Sequence, residues 1–286
     1  MTNYLIYDVF TDSAFGGNPL AIVTDAQDLP EAQLQPIARE FNLSETVFLY
    51  PPADPAHTAR ARIFTPMSEL PFAGHPTIGT AIALSAMGHG DQLVLELGVG
   101  PIACEVAGSS AKFTSRVPLE IGASVDPALM AACVGLAPDA IRADRHAPVM
   151  ASVGLPFACA ELTGMEALRD AHPVTDAFRI CADTYPVKSD FFSAMVYVRD
   201  GDALFARMFA PLSNIPEDPA TGSASAALAC YLAELEGVSK VFAITQGVEM
   251  GRPSSIGVEV DVSDGKASSF VVSGAAVKVM EGRLYL

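Results

Sequence analysis

Three stretches of the sequence carry chemically versatile side chains among small and turn-forming residues: Asn42-Leu43-Ser44-Glu45-Thr46, Pro71-Phe72-Ala73-Gly74-His75-Pro76-Thr77 and Glu217-Asp218-Pro219-Ala220-Thr221-Gly222-Ser223-Ala224. The first offers the carboxylate of Glu45 beside the hydroxyl of Ser44. The second offers one imidazole, His75, flanked by Gly74, Pro76 and Thr77. The third offers the carboxylate of Asp218, followed by Thr221, Gly222 and Ser223. An acid, a base and a place for an anion suffice to move a proton between carbon atoms. No cofactor is needed for that chemistry, and none is expected.

Each of the three also has a plainer reading. A Glu before a strand is usually a solvated carboxylate. A lone His in a turn is more often satisfied than catalytic, and Asp-Pro commonly just starts a turn. What separates these readings is the elements that hold the residues.

Residues 61 to 72, ARIFTPMSELPF, and 206 to 217, ARMFAPLSNIPE, are identical at six of twelve positions when shifted by 145. Each copy leads into a turn and then an Ala-rich run, so the unit written twice is strand, turn, helix. The runs Thr77–Met87 and Gly222–Leu235 are apolar nearly all the way round, which predicts helices buried on every face. Short β-rich stretches surround them: Tyr4–Phe10, Leu20–Thr24, Thr46–Tyr50, Leu93–Val99, Phe191–Val198, Val241–Thr245, Gly257–Val262 and Phe270–Val277. More polar helices are predicted at Glu31–Phe41, Pro127–Val134 and Gly164–Ala171. The second and third chemical segments immediately precede the buried helices. Two related halves are expected to set those helix N-termini facing across a cleft, where their N–H groups and the hydroxyls of Thr77, Thr221 and Ser223 would cradle a carboxylate. Glu45, at the mouth of that cleft and sheltered from water, is suited to shuttle a proton.

The fold class expected is α+β, two pseudo-symmetric lobes of residues 1–118 and 119–276, and the sequence leaves open whether the last strand, 277–286, returns to the first. Each lobe would be a curved, mostly antiparallel sheet around its buried helix.

Composition narrows the partners. With 33 acidic and 17 basic residues among 286, the formal charge is −16, so nucleic acid and anionic membranes are disfavoured. A small-molecule carboxylate is the expected partner. No apolar run reaches the ~18 residues of a membrane helix, and Met1–Phe10 reads as a strand and not a leader, so a cytoplasmic location is expected. The five cysteines, Cys104, Cys133, Cys159, Cys181 and Cys230, are odd in number and lack CxxC spacing. That speaks against a disulfide framework and a zinc site, so no metal is expected and buried thiols are. His57, His89, His146 and His172 are read as surface residues, and Arg252 as structural.

The segments GNPLAIV (Gly17–Val23), NLSETVF (Asn42–Phe48), PFAGHPTIGTA (Pro71–Ala81), EDPATGSA (Glu217–Ala224) and QGVEMGRPS (Gln246–Ser254) resemble, in order and spacing, the hallmark segments of PhzF-like proteins. The resemblance implies a homodimer of two-lobed subunits with the diaminopimelate-epimerase fold. It also implies that the Glu of NLSET, here Glu45, carries the proton, with His75, Asp218, Gly74, Gly222 and Ser223 lining the substrate site. The epimerase that gives the fold its name uses a cysteine at each of the two helix N-termini. This sequence has none in either turn, so a two-thiol racemase mechanism is not expected. The leading expectation is a cofactor-independent isomerase of a small cyclic or unsaturated amino or hydroxy acid. An amino-acid epimerase or dehydratase on the same fold is the enzymatic alternative, and a non-catalytic binding or scaffold protein is the alternative of another class.

Overall fold

In the computed structural model, which describes residues 2–187 and 192–285, the short apolar stretches become strands and the two Ala-rich runs become helices. Contacts divide the chain into one unit that runs to Ser115 and resumes at Val271, and a second unit, Arg116–Phe270. The sequence reading set a break at 118/119 and left open whether the last strand, 277–286, returns to the first half.

The first unit contains β1 (Thr2–Val9), β2 (Asn18–Val23), β3 (Glu45–Tyr50), β4 (Ala59–Phe64), β5 (Glu69–Leu70), β6 (Gln92–Leu97), β7 (Gly100–Ala107) and β8 (Ser110–Ser115), with helices α1 (Glu31–Phe41) and α2 (Gly74–Leu84). β1 and β2 are antiparallel, β2 and β3 parallel, and β3 and β4 antiparallel. The chain then passes through α2 so that β6 lies parallel to β4, and β7 turns back antiparallel.

The second unit contains β9 (Glu120–Ser124), β10 (Ile141–Arg142), β11 (Val149–Ser152), β12 (Pro156–Leu162), β13 (Ala194–Asp200), β14 (Ala203–Ala210), β15 (Ile215–Asp218), β16 (Lys240–Gln246) and β17 (Ser254–Ser263). Its helices are α3 (Pro127–Cys133), α4 (Met165–Asp170), α5 (Thr175–Thr184) and α6 (Gly222–Glu236). The pairing from β11 to β17 repeats that of the first unit: antiparallel, parallel, antiparallel, parallel through α6, antiparallel. The last strand, β18 (Lys266–Leu284), ends antiparallel to β1. The chain is thus mixed α+β, and its sequence repeat is a repeat of topology.

Small side chains explain the two buried helices. All eleven residues of α2 are buried, packed on β1, β2, β3, β6, β7 and β8. A Cβ at Gly79 would meet the side chains of Leu20 and Val9 at 2.7 Å, so only glycine lets the helix come this close to the sheet. In the second unit α6 packs on β11, β12, β16 and β17.

The structure differs from the sequence reading in several places. α2 begins at Gly74 and not at Thr77, so Gly74, His75 and Pro76 form its first turn. Proline is tolerated there because a first-turn N–H has no helical acceptor to lose. β7, β8, β9, β11, β12 and α5 were not foreseen. β11 and β12 are short and buried with no alternation to mark them, and β9 is exposed at all five positions, so its sequence carries no inward face. The predicted strand from Phe191 is observed as Ala194–Asp200, and Phe191 itself lies outside the described residues.

Candidate functional site

Glu45 is the first residue of β3, where parallel pairing sets it beside Leu20 of β2. Its carboxylate Oε2 lies 2.9 Å from Nδ1 of His75, the second residue of α2. The His75 side chain is 3% exposed and that of Glu45 is 15% exposed. Despite the short distance no aligned hydrogen bond forms, and Glu45 Oε2 and His75 Nε2 are both buried without a hydrogen-bond partner. Buried polar atoms are normally satisfied, so two such atoms on residues whose side chains meet make this the candidate place for chemistry. α2 also has no side-chain cap and no acidic residue in its first turn. The opening of α2 thus receives no capping side chain, and helix starts of this kind favour an anion.

The second unit presents a comparable helix start, with different residues. α6 follows Thr221, has no side-chain cap and has no acid in its first turn. Asp218, the last residue of β15, is 5% exposed. Its Oδ2 accepts a 2.6 Å hydrogen bond from the Thr221 hydroxyl. Gln246, at the end of β16, accepts from the Thr221 N–H at 3.1 Å and donates to the Asp218 carbonyl at 2.7 Å and to Thr221 Oγ1 at 3.2 Å. Register shows where the halves part company. Thr46 pairs with Phe64 and Ala194 with Phe209, so Ser193 holds the place in the second unit that Glu45 holds in the first.

A glycine after each crossover strand lets the turn before the helix settle. A Cβ at Gly98 would fall 2.7 Å from the Pro71 Cα, and one at Gly247 2.6 Å from the Pro219 carbonyl and 2.4 Å from that of Arg252.

The model of the PhzC–PhzF family, phenazine biosynthesis-like proteins, matches residues 7–282. The chain belongs to this family. It is 42% identical over 303 residues to an uncharacterized isomerase of Mesorhizobium japonicum, covering 99% of each chain. It is 36% identical over 295 residues to the trans-2,3-dihydro-3-hydroxyanthranilate isomerase of Pseudomonas fluorescens, covering all of both. Among solved structures, a PhzF-family phenazine biosynthesis protein of Bacillus anthracis superposes with a TM-score of 0.87 at 25% identity, over 100% of this chain and 99% of that one. A hydroxyproline epimerase of Agrobacterium vitis shares the fold alone, with a TM-score of 0.64 at 14% identity, over 99% and 90% of the two chains.

In this PhzF-like isomerase the remaining residues singled out from sequence fall into place as follows. The Thr77 hydroxyl donates to the Ala73 carbonyl at 2.8 Å, so its proton is spent inside the helix; the Thr221 proton is likewise committed to Asp218. Gly74 and Pro76 are buried in the first turn of α2, Gly222 is buried at the start of α6, and Ser223 and Ser44 are partly exposed. All five cysteines are free and buried. Burial pushes the Cys104, Cys159 and Cys230 thiols up to about 12, which keeps them protonated and unreactive.

His146 is not a surface residue. It is 8% exposed, its Nε2 lies 2.6 Å from the Tyr197 hydroxyl, and its ring meets that of Tyr231 edge-on. Its polar neighbours in sequence disguised a core position. Sequence reasoning also passed over Gln246 as a site residue. The available signal was a polar amide ending an otherwise apolar strand, immediately before a glycine.

Proposed function

We propose that the chain is a cofactor-independent isomerase that shifts a proton between two carbons of a small unsaturated amino or hydroxy carboxylic acid, with Glu45 as the proton carrier. The observation that carries this reading is the pair of buried, unpartnered polar atoms, Glu45 Oε2 and His75 Nε2, at the uncapped start of α2. Glu45 takes a proton from carbon, leaving charge delocalised over the unsaturated system and the carboxylate. Donors oriented beforehand stabilise that charge where it develops, and the N–H groups opening α2 are such donors. The same carboxyl returns the proton to a second carbon, so nothing is oxidised, reduced or lost. His75 stands beside the Glu45 carboxylate, its Nδ1 2.9 Å from Oε2, and its second ring nitrogen is left to meet the substrate. Asp218, Gly222 and Ser223 are proposed as further substrate contacts, with Asp218 as the second ionisable group.

The absence of cysteine from the openings of both buried helices favours this over two-thiol epimerisation, since Gly74-His75 and Gly222-Ser223 stand there. The test is proton exchange in deuterium oxide on a panel of unsaturated amino and hydroxy acids. The panel is headed by trans-2,3-dihydro-3-hydroxyanthranilate, named for the relative that is 36% identical. Conversion with label at the new C–H position supports the reading. Exchange confined to the α-carbon, with inversion, points to an epimerase; no exchange from any compound overturns the catalytic reading.

A further inference from the structure

In the first unit the catalytic carboxylate stands beside the helix opening through a direct approach to His75. The second unit has no imidazole there, and Asp218 is held differently. Three hydrogen bonds run from one buried side chain, Gln246, to the turn that carries Asp218. The Gln246 side chain belongs to a residue only 1% exposed, so these bonds are shielded from competing water. Its carbonyl receives the Thr221 N–H and its NH₂ reaches both the Asp218 main chain and the Thr221 hydroxyl oxygen. Because Gln246 donates to that oxygen, the single hydroxyl proton must point elsewhere, and it points to Asp218 Oδ2. The amide therefore dictates the proton order Gln246 to Thr221 to Asp218. The corresponding strand end in the first unit, β6, finishes in Leu97 before Gly98, so the amide is not a requirement of the fold pattern.

We infer that Gln246 is a positioning residue of this site, which orients the Asp218 carboxylate through the Thr221 hydroxyl and holds the turn that opens α6. The inference rests on the proposed role of Asp218.

The informative substitution is Gln246→Glu. Ionised, the new carboxylate accepts only; it keeps the Thr221 N–H but cannot donate to Thr221 Oγ1, and it draws the hydroxyl proton away from Asp218. Protonated, it regains one donor and restores the original order. Two carboxylates this close share a proton, so the protonated form becomes accessible at mildly acidic pH. Using the compound that exchanges in the deuterium screen, kcat of Gln246→Glu should fall about tenfold or more near neutral pH, the scale of a lost hydrogen bond to a charged group. It should recover toward the wild-type value as pH is lowered, more steeply than the melting temperature, which the lost donor to the Asp218 carbonyl lowers. Gln246→Leu should lose kcat without recovery at any pH. Asp218→Asn completes the set. If Asp218→Asn is inactive but Gln246→Glu shows the parental pH profile, or a loss that follows the melting temperature alone, Gln246 does not position Asp218. Full activity in Asp218→Asn overturns the role of Asp218 and the inference with it.

Discussion

The proposed role of Glu45, removing and returning a proton, asks for a carboxylate held firmly yet with a free lone pair. Its strand fixes one end, the His75 ring stands at 2.9 Å, and Oε2 is not committed to any aligned hydrogen bond. Glu45→Gln keeps the volume but cannot carry a proton, so turnover should fall by about 10²–10⁴-fold or more. The melting temperature and ligand-induced stabilisation should remain close to parental. Single-turnover rates, read beside thermal melts, check this. Retention of more than about a tenth of the activity, less loss than acid–base catalysis normally supplies, would show that another group carries the proton. His75→Asn should impair turnover less, because the N–H groups opening α2 survive it.

At the scale of elements, the turns before α2 and α6 are shaped by close backbone approach. Gly98→Ala puts a methyl 2.7 Å from the Pro71 Cα, and Gly247→Ala adds a left-handed φ of +76° to its clash with the Arg252 carbonyl. Each should destabilise by roughly 2–4 kcal/mol, the range for overpacking joined to backbone strain. Denaturant midpoints measure the effect, with the Gly247 variant the worse folded. A second element-scale device is Glu96 on β6, whose carboxylate accepts the N–H groups of Ala53 and Asp54 at 2.8 Å and faces His57 at 2.9 Å. The Ala53 and Asp54 N–H groups, then His57, hold its carboxyl down at about 2 from an ordinary 4.5. A depressed carboxylate stabilises the fold above its unfolded value and ceases to as pH falls through the folded one. The melting-temperature advantage of the parent over Glu96→Gln should therefore be full above pH 4.5 and vanish toward pH 2; a constant difference across that window would refute the assignment.

At the scale of the whole molecule, a formal charge of −16 surrounds a site proposed to take an anion. The long-range field opposes an anion's approach, and local helix openings favour it. Salt screens the distant charges more than the local, partly buried ones, with the screening length falling from about 30 Å at 0.01 M to about 8 Å at 0.15 M. The value of kcat/KM for a carboxylate substrate should thus rise with ionic strength over that range, roughly two- to tenfold. A basic enzyme acting on an anion would show the reverse, and a fall here would mean that a cationic region outside the helix openings steers the substrate.

The family, the repeat, both buried helices and the candidate chemical residues were legible in the sequence alone. Those follow from local pattern: an Ala-rich run is buried because nothing on it favours water, and a Glu-45-type carboxylate in NLSET is recognisable wherever it folds. Tertiary structure decided what each residue does with its hydrogen bonds. It moved the start of α2 back to Gly74, so that His75 sits inside the first turn, and it turned the Thr77 hydroxyl onto the Ala73 carbonyl. It also buried His146 against Tyr197 and Tyr231 and brought Gln246 across 28 residues to Asp218. No local pattern encodes these, because a hydrogen-bond partner distant in the chain is chosen by strand register, and register is settled only when the sheet has packed on its helix.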